Sequence, residues 1–281
     1  MNILCPTDFS EVAGYALDAA IQLSTRLNAT LHLFHCTGVP PQWETGEEES
    51  KELEAYKENL WLQAAEEIKK HSKYARKKGV SVEEHITHGD FLAQLAIVAK
   101  ENQSDLVVMG STGASGKREW FMGSNTQKAI RRLHLPVLVI KQPIENTVFP
   151  KAVFASGLLT EEQEVFTRFL QFSQLLGTQE VHILCIHTAG VFSPPRIVMQ
   201  EALADFKALA ADYDVSTHFY TDLSVEAGIR HFTEENTMNL IAISNHLRHP
   251  LKRIFNGNTV EMVVNHASIP VLSMDYEISK E

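Results

Sequence analysis

A glycine-rich loop between two apolar runs carries the residues of this sequence that are best suited to bind an anion. The apolar run 106–109 precedes glycines at positions 110, 113, 116 and 123, and Ser124 then opens a short helical pattern. A strand that ends in such a loop and re-enters a helix presents free backbone N–H groups at the helix N-terminus, where the helix dipole also favours negative charge. We interpret this loop as the phosphate site of a nucleotide.

The elements that must position the loop alternate along the chain. Short apolar runs at 2–6, 30–35, 80–87, 106–109 and 137–140 are separated by helical patterns. Alternation of this kind predicts βαβ units and a parallel sheet covered by helices on both faces. Ligands of such sheets lie beyond the carboxyl ends of the strands, where the strand order reverses. The loops after the first and fourth strands meet there if those strands are neighbours, which the spacing alone does not establish.

The whole pattern occurs twice. After a linker at 142–150 the strands and helices begin again, and a shift of 134 residues pairs Leu106 with Leu240 and Pro136 with Pro270. We infer a tandem duplication, with one domain at 1–143 and a second at 149–281.

The second copy of the loop has lost its glycines. Ser244 stands where the first copy has Gly110, and Leu247 stands where it has Gly113. Side chains at these positions fill the space that a ligand needs, so we expect the second loop not to hold phosphate. The first loop is not a Walker A motif, because its spacing and the residue after the lysine are both wrong.

The first loop follows the pattern G-x2-G-x9-G-[S/T]. Together with the opening Pro6-Thr7-Asp8-Phe9-Ser10, the His35 ending of the second strand and a Gly89-Asp90 helix start, it resembles the universal stress protein family. The resemblance covers nearly the whole chain as two tandem copies. It implies two α/β domains, each an open five-stranded parallel sheet of strand order 3-2-1-4-5. It also implies binding of ATP or a related adenine nucleotide, with or without Mg²⁺.

The resemblance implies a set of nucleotide contacts in the N-terminal half, namely Pro6, Thr7, Asp8, Cys36, Met109, Gly110, Gly113, Gly123, Ser124 and Asn125. Asp8 would hold the ribose or adenine side, with Pro6 and Thr7 beside it. Cys36 would lie against adenine, where the family has a small apolar residue.

Met109 and Gly110 would line the ribose in this scheme. Gly113, Gly123, Ser124 and Asn125 would take the phosphates. Lys117 and Arg118 would either neutralise phosphate charge or lie in solvent.

Composition excludes several other classes of function. The formal net charge of −10 argues against general affinity for nucleic acid or anionic membrane. No apolar run approaches the roughly 20 residues of a membrane helix. The start of the sequence lacks the pattern of a signal peptide, and there are only three cysteines, so we expect a cytoplasmic protein.

The 13 histidines are candidate metal ligands. His32 and His35 are three apart on one strand and point to opposite faces. His246, His249 and His266 surround the second loop and could approach one another, but surface histidines are the better interpretation, and we predict no metal site. We identify no catalytic residue, since no G-x-S-x-G motif is present and Asp8 would position rather than catalyse.

Three hypotheses remain open at this point. The first is a cytoplasmic tandem universal stress protein that binds ATP in its N-terminal domain and acts as a stress-response sensor or signalling module, with slow ATP hydrolysis at most. The second is a nucleotide-independent interaction module for an unknown protein partner. The third is an ATP-dependent enzyme of the related adenine-nucleotide hydrolase-like folds, although residues 6–10 do not form the serine-glycine loop that it needs.

The resemblance also bears on assembly. Family dimers pair through their last strands, so the runs 137–140 and 271–274 are expected to meet in a pseudo-dimer within the chain. The resemblance leaves open whether two chains also form a homodimer.

Overall fold

The computed structural model of the 281-residue chain describes residues 1–38, 51–111, 124–188, 196–210, 213–245 and 259–275. The chain divides into two compact units. The first comprises residues 1–110 and 142–144, and the second comprises residues 111–141 and 145–281. None of the helices in the described ranges is long and apolar enough to span a membrane.

The first unit is a parallel sheet with helices. Its elements are β1 (Asn2–Pro6), α1 (Glu11–Leu27), β2 (Thr30–Thr37), α2 (Lys51–Lys77), β3 (Val82–His88), α3 (Phe91–Glu101) and β4 (Leu106–Gly110). The strand order is β3-β2-β1-β4, and Ile3 lies opposite Leu31 on one side and Leu106 on the other. The first and fourth strands are therefore neighbours, which is the condition for their loops to meet.

Capping residues mark where the helices of this unit begin and end. The Ser10 hydroxyl accepts a hydrogen bond from the Ala13 N–H at 3.2 Å, and the Asp90 carboxylate accepts one from the Ala93 N–H at 2.9 Å. Such side chains satisfy N–H groups that the first helical turn leaves free. Asn28 ends α1 in the left-handed conformation, with φ of 50°. The helix start at Gly89-Asp90, predicted from the sequence, is thus confirmed.

The second unit carries the remaining elements. They are α4 (Ser124–Arg132), β5 (Val137–Ile140), β6 (Lys151–Ala155), α5 (Glu162–Leu175), β7 (Glu180–Thr188), α6 (Arg196–Leu209), β8 (Asp214–Asp222), α7 (Val225–Glu235), β9 (Leu240–Ser244), α8 (Thr259–His266) and β10 (Val271–Met274). Its strand order is β5-β10-β9-β6-β7-β8. Strands β6 to β10 are parallel and follow the order 3-2-1-4-5, which confirms the predicted fold class.

Strand β5 comes from the first sequence repeat but belongs to the second unit. It pairs antiparallel with β10, with Leu138 opposite Leu272, so the expected meeting of the two last strands is confirmed. A polar contact supports the pairing, because the Lys141 ammonium donates to the carbonyls of Asn265 and Ala267 at 2.6 and 2.9 Å, at the C-terminal end of α8. Burial lowers the pKa of Lys141 to about 8. The domain boundaries inferred from the repeat stay a prediction.

Candidate functional site

The turn after β1 is held in a fixed and strained conformation. The Thr7 N–H donates to the Phe34 carbonyl at 2.8 Å, and the Thr7 hydroxyl accepts from the Phe9 N–H at 3.0 Å. His35 Nδ1 lies 2.8 Å from the Thr7 carbonyl, which can only accept, so this nitrogen carries the proton. Phe9 has φ of 63°, a region that a bulky residue rarely adopts, and its ring stacks on His35 with centroids 4.5 Å apart. The turn is therefore a preformed feature.

This turn presents Asp8 to solvent. One carboxylate oxygen of Asp8 accepts a hydrogen bond from the Ser10 N–H at 3.0 Å, and the side chain is exposed, whereas Pro6 and Thr7 are buried. Asp8 stands just beyond the carboxyl end of β1, next to the strand neighbour β4. This crevice is where open parallel sheets bind ligands.

The end of β4 is shaped by close packing. A Cβ atom added at Gly110 would lie 2.7 Å from the carbonyl oxygen of Val12 and 3.0 Å from the backbone nitrogen of Ala13. Glycine at this position therefore lets the strand approach the first turn of α1, a structural reason that the sequence pattern does not reveal. Met109, the residue before it, is buried.

Cys36 lines a cavity of about 530 Å³ in the first unit. The cavity lies between the end of β2 and helix α2, and its wall includes Phe9, His35, Tyr56 and Leu60. Its volume falls within the usual range for small-molecule sites. The Cys36 thiol donates to the Gly89 carbonyl at 3.3 Å, and burial raises the pKa of this thiol. Cys36 is therefore a packing residue of the cavity rather than a reactive thiolate.

The predicted phosphate contacts are described only in part. Gly113 and Gly123, and with them Lys117 and Arg118, lie outside the described residues. Ser124 begins helix α4 as expected, and Asn125 is exposed in its first turn. The assignment of these residues to phosphate stays a prediction.

The second repeat contains the same turn with a different residue at its centre. The Ser156 N–H donates to the Leu184 carbonyl at 3.0 Å, and the Ser156 hydroxyl accepts from the Leu158 N–H at 2.8 Å. Leu158 has φ of 60°, as Phe9 does in the first repeat. Ser156 thus corresponds to Thr7, and Gly157 occupies the place of Asp8. The exposed carboxylate is missing from the second turn.

A buried carboxyl group lies next to this turn. Glu162 is 5% exposed, and its Oε2 accepts hydrogen bonds from the Ser156 hydroxyl at 2.6 Å and the Leu159 N–H at 3.3 Å. It lines a cavity of about 110 Å³ together with Ser244. Burial raises the pKa of Glu162, against the hydrogen bonds that lower it. No sequence pattern singles out Glu162, because it stands in an acidic run typical of a helix start.

Replacing Glu162 with glutamine tests the raised pKa. A carboxyl whose pKa is raised by folding contributes stability that is fully present below its unfolded-state pKa and is lost as the pH rises through its folded-state pKa. The wild type should therefore gain stability relative to Glu162→Gln as the pH is lowered from 8 towards 4.5. Urea unfolding at several pH values measures the difference. Glu164→Gln, an exposed site in the same helix, should show no such trend. A pH-independent difference for Glu162→Gln would contradict the prediction.

Among the residues that the structure describes, the histidines near the second loop form no cluster. His266 Nδ1 lies 2.7 Å from a Glu226 carboxylate oxygen. His246 and His249 lie outside the described residues.

Comparisons with known proteins agree with this architecture. A family model described as "Universal stress protein family" matches residues 1–141. The chain is 32% identical to the universal stress protein MJ0531 of Methanocaldococcus jannaschii over 142 residues, which cover 50% of this chain and 82% of that protein. It is 22% identical over 289 residues to the universal stress protein Slr1230 of Synechocystis, covering 97% of this chain and 99% of that protein.

Among solved structures, a universal stress protein from Archaeoglobus fulgidus has the same fold. The TM-score is 0.74 at 16% identity, and the likeness covers 98% of each chain. At this identity the likeness shows the fold alone.

Proposed function

The chain belongs to the universal stress protein family, and from that premise we propose that its N-terminal half binds ATP or a related adenine nucleotide. We further propose that the protein acts in the cytoplasm as a stress-response sensor or signalling module. Such a module acts by binding the nucleotide rather than by hydrolysing it rapidly.

The observation that carries the proposal is the placement of Asp8. Its exposed carboxylate stands at the carboxyl end of β1, beside β4, on a turn that His35 and Thr7 hold rigid. An ionised carboxylate accepts hydrogen bonds only, and the two hydroxyl groups of a ribose are donors that suit it. A preformed acceptor also lowers the entropic cost of binding.

The adenine side of the proposal is supported by the cavity beside Cys36. Phe9 and Tyr56 offer aromatic surface and Leu60 offers apolar surface there, while Gln63 supplies a polar group. Such a lining suits a flat heterocycle. For the phosphates, with or without Mg²⁺, the proposal rests on the sequence motif formed by Gly113, Gly123, Ser124 and Asn125.

The second repeat supports a stoichiometry of one nucleotide per chain. Its turn has Gly157 in place of Asp8, and its cavity of about 110 Å³ is below the usual range for ligand sites. Leu247 stands where the first repeat has Gly113. We therefore propose that the C-terminal half does not bind ATP.

Equilibrium binding of ATP to the full chain tests the proposal. The wild type should bind one ATP, and Gly113→Leu, which copies the second repeat, should bind at least about tenfold more weakly, a loss of about 1.4 kcal/mol. Leu247→Gly is the matched control at the corresponding position of the second repeat and should keep both the affinity and the stoichiometry.

Two outcomes would contradict the N-terminal site, namely no measurable ATP binding by the wild type, or equal binding by the wild type and Gly113→Leu. Phosphate release well above a protein-free control would instead point to an ATPase.

A further inference from the structure

Two histidines face each other across neighbouring strands in the first unit. His32 Nδ1 on β2 lies 3.1 Å from His85 Nε2 on β3, and the ring centroids are 5.3 Å apart. His32 is directly opposite Glu83 in the parallel register, and His85 is two residues further along β3. Because alternate residues of a strand share a face, all three side chains lie on the same face of the sheet.

Glu83 brings a third donor to this pair. Its Oε2 lies 3.5 Å from His32 Nδ1, and the three donor atoms all lie within 4.8 Å of one another. In a tetrahedral zinc site with bonds of about 2.0–2.1 Å, neighbouring donors are about 3.4 Å apart. The separations of 3.1 and 3.5 Å fit that spacing.

Asn2 fixes the tautomer of His32. The Asn2 amide NH₂ donates to the Asn102 carbonyl at 2.8 Å, so its Oδ1 is the atom that faces His32 Nε2, at 3.4 Å. An amide oxygen can only accept, and Nε2 therefore carries the proton while Nδ1 presents its lone pair to the cluster. Metal-binding histidines are oriented by such a second hydrogen bond in most known sites.

The charge state of both rings also suits a metal ligand. Burial lowers the pKa of His32 and of His85, so the neutral imidazole is favoured near pH 7. A metal ion competes with protons for the same lone pairs, and a lower histidine pKa weakens that competition.

The second repeat has the same histidine pair without the third donor. His182 Nδ1 lies 2.9 Å from His218 Nε2, at the equivalent strand positions. The residue opposite His182 is Ser216, where the first repeat has Glu83 opposite His32. The nearby Glu180 carboxylate approaches the other ring nitrogen of His182, at 3.7 Å, and pairs with Lys151 at 3.2 Å. Only the first pair forms a three-donor group among the residues that the structure describes.

We propose that His32, Glu83 and His85 bind one divalent transition-metal ion of the zinc class, with water as the fourth ligand. Two imidazoles and a carboxylate are donors that Zn²⁺ accepts readily. The ion would join β2 to β3 and stabilise the folded first unit by mass action. The site is independent of the proposed nucleotide site.

Zinc titration of the metal-free full chain, without nucleotide, tests this proposal. Competition with a chromophoric chelator should detect one tight Zn²⁺ ion in the wild type and a loss of affinity of at least about tenfold in His85→Gln. His218→Gln is the matched control in the second repeat and should bind as the wild type does. Co²⁺ should give the visible absorption of a four-coordinate ion in the wild type and in His218→Gln, but not in His85→Gln.

A second variant distinguishes a loss of zinc binding from misfolding. Glu83 is exposed, so Glu83→Gln should fold normally and yet lose both affinity and the zinc-dependent rise in Tm. The proposal is overturned if the wild type binds no Zn²⁺, if Glu83→Gln and His85→Gln keep the wild-type affinity, or if His218→Gln weakens binding as much as His85→Gln does.

Discussion

Gly110→Ala is expected to lower the free energy of unfolding by about 1–3 kcal/mol, the usual cost of forcing extra atoms into a packed region. The new Cβ atom would lie 2.7 Å from the Val12 carbonyl oxygen and 2.8 Å from the Val12 carbonyl carbon. These are backbone atoms of the first turn of α1 and cannot rotate away, so the strand and the helix must move apart. Urea unfolding of the full chain followed by circular dichroism measures the effect.

Gly14→Ala, in the helix against which Gly110 packs, provides the matched control. No heavy atom lies within 4 Å of a Cβ atom added at Gly14, which is inside α1. Alanine is favoured over glycine in a helix by about 1 kcal/mol, so this variant should be as stable as the wild type or up to about 1 kcal/mol more stable. The same substitution should thus destabilise the protein at position 110 but not at position 14. Equal effects at both would show that Gly110 is not needed for packing.

The Gly110 variant also connects packing to the proposed function. Displacing the first turn of α1 moves the Ser10 cap and the adjoining turn that carries Asp8. ATP affinity should therefore fall together with stability in Gly110→Ala and be retained in Gly14→Ala.

Local signals in the sequence predict the strands and helices of the fold. Apolar runs between helical patterns predict the parallel sheets, and the Gly89-Asp90 pair predicts a helix start. These signals are readable because each depends on neighbours within about four residues. The adjacency of β1 and β4 pairs Ile3 with Leu106, which are far apart in the sequence. No local pattern therefore predicts it. It followed only from the family resemblance.

The histidine cluster shows why parts of the site could not be predicted. Along the sequence, the histidine nearest to His32 is His35, and the two point to opposite faces of one strand. The partner of His32 is His85, 53 residues away, and their contact depends on the register of β2 against β3. A parallel register is set by the packing of whole strands, so a shift of one residue would turn His85 to the other face.

The structural roles of glycines and acidic residues are similarly ambiguous in the sequence. The sequence pattern indicates that Gly110 leaves room for a ligand, and the structure shows that it also lets β4 pack closely against Val12. Glu162 is one of two adjacent glutamates at a helix start, and only the tertiary structure distinguishes the buried one from the exposed Glu161. Residue type alone does not report burial for either kind of residue.

The pairing of β5 with β10 leads to the second large expected effect. Leu138 and Leu272 are fully buried and directly opposite each other in the antiparallel register. Residues opposite each other across a sheet have Cβ atoms about 4.5–5.5 Å apart and share a face, so their side chains pack together. Leu138→Ala and Leu272→Ala should each cost about 2–5 kcal/mol, from lost burial and from the cavity that remains.

The double variant distinguishes this contact from two separate cavities. If the leucines pack against each other, the combined loss in Leu138→Ala/Leu272→Ala should differ from the sum of the single losses by about 0.5–3 kcal/mol. Leu184, fully buried on β7, supplies the control, because β7 is separated from β5 by three strands in the sheet of this unit. The pair Leu138→Ala/Leu184→Ala should be additive. Additivity in both pairs would mean that β5 contributes no direct packing to β10. Coupling in the first pair alone would establish that a strand from the first repeat is an integral part of the second unit.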